Sequence, residues 1–285
     1  MKCSEIHIRD PFVLEEDGIY YLYGTRGANF GIQTGGFDVY TSQDLENWVH
    51  QGQCFDSESY GMNLASNWAP EVHKYGGGYY LFATFTRPDC GLRGTWVLKA
   101  DSPLGPFRPH SNGVVTPREW ECLDGTLYID QTGNPWIVFC HEHTQIIDGT
   151  MCYARLSEDL TEMMGEPVTL FAASSVPGVG VQEVDQHYIT DGPFFYRTET
   201  GTLLMIWSSF MENRYAQLLL RFDDGEPSMN FTHLPPLLTS DGGHGMIFRK
   251  DGELILTLHS PNIHGKERPV FLKLRDLGDT ITLNA

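Results

Sequence analysis

One phrase, a short strand, a glycine-containing turn and an aromatic-rich return strand, recurs five times along this chain and limits its fold more than any other feature. The copies begin at Arg9 (RDPFVLEEDGIYYLYGT), Trp68 (WAPEVHKYGGGYYLFATF), Leu123 (LDGTLYIDQTGNPWIVFCHE), Thr190 (TDGPFFYRTETGTLLMIWSSF) and Gly242 (GGHGMIFRKDGELILTLHS). Further strand-like segments follow each copy, for example FDVYTSQDLENWV after the first and PVFLKL after the last. Asp-Gly, Gly-Gly and Thr-Gly turns between apolar runs predict hairpins, and no long helical periodicity interrupts them. Such a unit cannot bury both faces alone, so copies about fifty to sixty residues apart are expected to stack radially. The expectation is an all-β fold, a single five-bladed β-propeller spanning residues 1–285. The rival is a β-sandwich or jelly roll, which need not restart each unit with the same phrase. Whether the first residues or the short C-terminus completes the last blade stays open.

Composition supports a well-buried β domain, with 41% hydrophobic residues, 12% aromatics, 30 Gly and 16 Pro. A formal net charge of -18, scattered along the chain, argues against nucleic acid and anionic membranes as partners and suits a neutral ligand such as an oligosaccharide. The six cysteines, Cys3, Cys54, Cys90, Cys122, Cys140 and Cys152, show no CxxC pair and read as reduced thiols. The first residues show no apolar signal-peptide core, which leads to an expectation of a cytoplasmic protein. The sequence leaves oligomeric state open. Neither a GxSxG elbow, a complete GxGxxG fingerprint nor a P-loop is present, and no organic cofactor is expected.

In a propeller the inner strand of every blade begins at the central channel, so residues just before it converge although distant in sequence. Those positions hold Asp10, Trp68 to Glu71, Asp124, Asp191 and His244. Asp-Gly pairs are common turn formers, and Asp17 and Asp251 fall where hairpin turns belong. Asp10, Asp124 and Asp191 instead precede the first strand of their blades, which reads as three carboxylates at equivalent places.

On RDPF, WAPE, LDGTLYID, DGPFFYR and GGHGM, in this order, the chain resembles glycoside hydrolase family 43 over nearly its whole length. That resemblance implies an inverting glycosidase, an α-L-arabinofuranosidase or β-xylosidase type of enzyme; a cytoplasmic location would suit short imported oligosaccharides and hence exo action, although exo or endo action stays open. It implies Asp10 as the general base and Asp124 as the carboxylate that orients the acid and raises its pKa. The family's acid is typically a glutamate before Gly-Pro or Ala-Pro, and here that place is Asp191. Aspartate is one methylene shorter, so either the sugar sits deeper or Asp191 is helped or replaced by Glu142 or Glu183. Inversion needs a protonated and an ionised carboxyl about 6.5–9.5 Å apart, leaving room for water. Like charges crowded in a desolvated pocket are how one of them keeps its proton.

The resemblance also places His244 toward a central Ca²⁺ or Na⁺ with mostly water ligands; a buried histidine bonded to backbone is the plainer alternative. Arg268 matches an arginine that reaches the sugar and the acidic cluster, with a surface pair to Glu267 as the alternative. Trp68 and Phe30 are candidates for stacking on a sugar face, or core residues. Glu71 is expected to bond sugar or hold its loop. His141 and His143 share a strand face, but without HExxH or an evident third ligand zinc is disfavoured, and His141 or Glu142 at the channel mouth is the functional expectation. Two rivals remain: a retaining propeller enzyme of the fructosyl-acting type, and a non-catalytic carbohydrate-binding propeller, which the aspartate at the acid position makes worth testing.

Overall fold

The five repeats become five four-stranded antiparallel sheets in the computed structural model, which describes residues 1–26, 35–60 and 66–284. Blade one is β1 (Ile8–Glu16), β2 (Ile19–Arg26), β3 (Phe37–Ser42) and β4 (Val49–Phe55). Blade two is β5 (Trp68–Tyr75), β6 (Gly78–Thr86), β7 (Arg93–Ala100) and β8 (Arg108–Pro109). Blade three is β9 (Cys122–Ile129), β10 (Pro135–His141), β11 (Thr150–Leu156) and β12 (Met163–Ala172), with a short helix α1 (His143–Ile146) after β10. Blade four is β13 (Asp191–Arg197), β14 (Leu203–Met211), β15 (Arg214–Phe222) and β16 (Phe231–Leu238). Blade five is β17 (Gly243–Lys250), β18 (Glu253–Ser260), β19 (Arg268–Asp276) and β20 (Ile281–Leu283).

Three inner hairpins turn on two consecutive residues of positive φ: Asp17 and Gly18 at 52° and 76°, Gly76 and Gly77 at 53° and 83°, Asp251 and Gly252 at 50° and 84°. That conformation matches strand twist in a two-residue turn, which is why Asp-Gly and Gly-Gly occupy these places. Between the blades lie the buried clusters. Val138 and Met151 of blade three pack with Met205, Trp207 and Leu218 of blade four, and each such side chain contributes roughly 1.5–3 kcal/mol through lost water contact.

The fold is an all-β five-bladed propeller, with β1 packed against both β5 and β17. The last blade is completed by the C-terminus, because β20 pairs with β19. The N-terminal turn at Cys3–Glu5 packs on β19 from outside the sheet. No strand is exchanged across this seam among the described residues. Side chains cross it instead: Arg9 Nη1 lies 3.0 Å from Glu267 Oε1, and the Asp10 amide donates to His259 Nδ1 at 3.2 Å.

Every inner strand carries the same bulge. Two of its residues oppose a single residue of the second strand, and the first of the two has a positive φ: Asp10 (50°), Ala69 (47°), Asp124 (56°), Gly192 (47°) and His244 (50°). A bulge re-aims its side chain out of the pleat, here into the channel. For a residue with a Cβ this backbone costs about 1 kcal/mol or more and persists only where surroundings fix it. The fixing bonds come from the preceding blade. The amides of Ala69, Asp124 and His244 donate to Thr25 Oγ1, Thr84 Oγ1 and Ser208 Oγ at 2.7, 3.0 and 2.7 Å, and that of Asp10 to His259. Each acceptor stands on the second strand of its blade, opposite the residue just before that blade's own bulge: Thr25 opposite Arg9, Thr84 opposite Trp68, Ser208 opposite Asp191 and His259 opposite Gly243. In blade three that place is held by Cys140, a weak acceptor, and the Gly192 amide donates to Asp124 Oδ2 instead, at 3.1 Å.

Candidate active site

The bulges aim Asp10, Asp124 and His244 into one cavity of about 280 Å³. Asp191 reaches it differently. In the bulge frame Gly192 stands where Asp10 and Asp124 stand, and Asp191 is one residue earlier, equivalent to Arg9, Trp68, Leu123 and Gly243. The expected equivalence of three aspartates is therefore corrected to two aspartates plus one offset neighbour. Gly192 is required at its position, since a Cβ there would meet the His244 ring at 2.6 Å.

His244 Nδ1 lies 3.3 Å from Asp10 Oδ1 and 3.7 Å from Asp124 Oδ2. Thr25 Oγ1 donates to Asp10 Oδ2 at 2.6 Å, and His259 Nδ1 is 3.4 Å from Asp10 Oδ1. Burial opposes charge on Asp10, but the His244 imidazole, His259 and Arg9 outweigh it and hold this carboxyl far below the usual range. Asp124 has the opposite fate. Burial first, then the charge of Asp191 and a hydrogen bond shared with it, push Asp124 well above the usual carboxylate range. Of this pair Asp124 is the member that favours its protonated form. Tyr215 OH donates to Asp191 Oδ2 at 2.6 Å, and burial and Asp191 push the phenol itself well up, so it remains a donor.

A second wall is built around Glu142, the residue that caps α1. Its Oε1 accepts from the His143 amide at 2.9 Å and lies 3.1 Å from His143 Nε2, while Oε2 meets Arg93 Nη2 at 3.1 Å. Burial pushes Glu142 up to about 7 against the pull of Arg93. The Arg93 guanidinium also binds Glu121 and covers the Trp68 ring, 5.0 Å from its centroid.

Of the residues expected from sequence, Asp10, Asp124, Asp191, Glu142, Trp68 and His244 line the cavity. Three do not. Glu71 is buried against His73, 2.9 Å away, because it follows the bulge and faces the gap between blades. His141 stacks on Trp120 at 4.1 Å and bonds Gln145, because the strand ends there and α1 turns the next residues back toward the channel. Arg268 reaches the Ser4 carbonyl at 2.8 Å and His7 at 3.0 Å on the outer side of the seam, and the guanidinium that takes its place in the cavity is that of Arg9. Glu183 is exposed and outside the lining, and Phe30 lies outside the described residues. Arg9 stands inside the RDPF motif, yet no letter there sets it apart from a surface arginine. Arg93, Tyr215 and Gln182 come from strand starts and a loop with no repeated signature, so nothing in the sequence marks them.

Among the described residues one set of metal-type donors lies together, Asp124, Asp191 and His244, with ligand atoms within 4.8 Å of one another. His244 Nδ1 faces the Asp10 and Asp124 carboxyls at 3.3 and 3.7 Å. Three side-chain donors fall short of the six to eight oxygens a Ca²⁺ takes, so a hard cation held here would draw most of its ligands from water.

Residues 4–273 match the family described as glycosyl hydrolases family 43. The chain belongs to that family. An endo-arabinase from Bacteroides thetaiotaomicron is 38% identical and superposes with a TM-score of 0.88 over 96% of both chains. The extracellular endo-α-(1→5)-L-arabinanase 1 of Bacillus subtilis is 26% identical over 144 residues, 46% of this chain and 42% of that protein, so less than half of that relative's length is matched. RS223-β-xylosidase shares the fold at a TM-score of 0.77 with 16% identity, covering 99% of this chain and 96% of that one.

Proposed function

We propose that this family 43 chain hydrolyses α-L-arabinofuranosyl linkages with inversion at the anomeric carbon. The observation that carries the reading is the split between two carboxyl environments in one cavity: Asp10 kept ionised, and the Asp124–Asp191 pair keeping a proton. In this scheme Asp10 takes a proton from the attacking water as its oxygen bonds to the anomeric carbon. Asp191, its Oδ2 held by Tyr215, relays the proton of its pair with Asp124 to the departing glycosidic oxygen. Asp124 acts through Asp191, its place fixed by the Gly192 amide. Arabinosyl substrates are favoured by the 38% identity to the endo-arabinase; that similarity supports the glycone and leaves the chain's own assay to decide it.

The test is hydrolysis of p-nitrophenyl α-L-arabinofuranoside, linear arabinan and p-nitrophenyl β-D-xylopyranoside, with the first product anomer followed by NMR. Inverted arabinose or arabino-oligosaccharides are expected. Retention would overturn the water-activating role of Asp10, xyloside turnover alone would replace the glycone, and saccharide binding without turnover would make the chain a binding propeller.

A further inference from the structure

Sequence spacing pairs His143 with His141, but the fold gives it a different partner. His143 Nδ1 lies 3.1 Å from His187 Nδ1, with the rings crossed at 70°. His187 belongs to a turn in which the Gln182 amide donates to the His187 carbonyl at 2.8 Å and the Gln186 amide to the Gln182 carbonyl at 2.8 Å. We propose that His143 and His187 form a binding site for one divalent transition-metal ion of the zinc class, at the rim of the cavity and separate from the aspartate cluster.

Two ring nitrogens facing each other this closely match the span between two imidazole ligands on a tetrahedral ion with bonds of about 2.0–2.1 Å. The opposite nitrogen of His143 is already oriented as a metal-bound histidine's is, with Nε2 3.1 Å from the buried Glu142 carboxylate. That contact fixes the proton on Nε2 and leaves the Nδ1 lone pair for the ion. Burial pushes the His143 pKa down, which favours the neutral ligand form. Oxygen donors stand close by. Gln182 lines the same cavity and its Oε1 is buried with no hydrogen-bond partner among the described residues. Asp185, exposed on the turn, is near enough that its charge acts on His143. A nitrogen pair with a weak oxygen and water selects Zn²⁺, Ni²⁺ or Cu²⁺ over Ca²⁺. An ion held there ties the turn at 182–187 to the wall that carries Glu142.

Calorimetric titration of the untagged protein with Zn²⁺ is the test. One saturable site per chain is expected, weakened by more than about a hundredfold in His187→Asn and by about tenfold in Glu142→Gln, and unchanged in His141→Asn. Because His187 sits half-buried on a loop, His187→Asn should keep the far-UV circular dichroism of the parent. The imidazole nitrogen shifts of the parent protein give a second readout, in which Zn²⁺ should move the resonances of His143 and His187 together. Absence of saturable binding, or binding untouched by His187→Asn, overturns the proposal. Binding lost in His244→Asn but kept in His187→Asn would locate the ion at the aspartate cluster and also overturn it.

Discussion

Asp10 of blade one and Asp124 of blade three have nearly the same local structure and opposite chemistry. Both are the left-handed residue of an inner-strand bulge, at φ 50° and 56°, and both are buried. Asp10 is met by His244 and His259 of blade five and by Arg9, whereas Asp124 is met by Asp191. Local backbone therefore only delivers the carboxyl to the channel. What the neighbouring blade presents decides whether it is charged, since a favourable partner and a like charge shift a buried acid in opposite directions.

The largest effect that would sharpen this contrast is on turnover. Asp10→Asn keeps the bulge but removes the base, so kcat on the accepted glycoside should fall by about 10²–10⁴-fold with a small change in KM, measured by steady-state kinetics. A loss of only a few-fold would break the distinction between the two aspartates.

A smaller effect concerns pH. The Asp10 pKa is depressed, so its ionised form is favoured on folding, and this contribution is present above the ordinary carboxylate range and lost as pH falls through the depressed folded value. For Asp124 the folded pKa is raised, so the corresponding contribution is present at low pH and lost as pH rises through that value. Between them lies the window in which one acid is charged and the other pair keeps a proton. His244→Asn removes the neighbour that most favours charge on Asp10 while leaving His259, Arg9 and Asp124 around it. The acid limb of the kcat/KM profile should move to higher pH, and an unmoved limb would mean that His244 does not set the charge of Asp10.

The smallest effect is expected across the seam. Arg268→Ala removes contacts to Ser4 and His7 on the outer side and should leave kcat and KM within about twofold, with a stability change of about 1 kcal/mol or less by denaturant titration. A large loss of kcat would restore Arg268 to the site in place of Arg9.

Much of this was legible in the chain. The repeat with its Asp-Gly and Gly-Gly turns specified hairpins, their number and their order, because turn geometry and strand patterning are local properties. It also picked out five of the cavity residues, Asp10, Trp68, Asp124, Asp191 and His244, because the start of each inner strand is marked by the phrase itself. The register was misread: Asp191 looked equivalent to Asp10 and Asp124 as a carboxyl before its strand, but aligned on the second bulge residue, Pro11, Pro70 and Pro193, the position belongs to Gly192.

The sequence by itself determined the blades and the carboxyls at their inner ends. Tertiary structure alone decided the partners: Arg9 in place of Arg268, Tyr215 on Asp191, His187 on His143, and opposite charge states for two aspartates in the same local fold. The physical reason is range. Turn and strand preferences act over a few residues, whereas the electrostatics of a buried group are set by side chains that approach across blade boundaries from up to 258 positions away, as Glu267 does to Arg9.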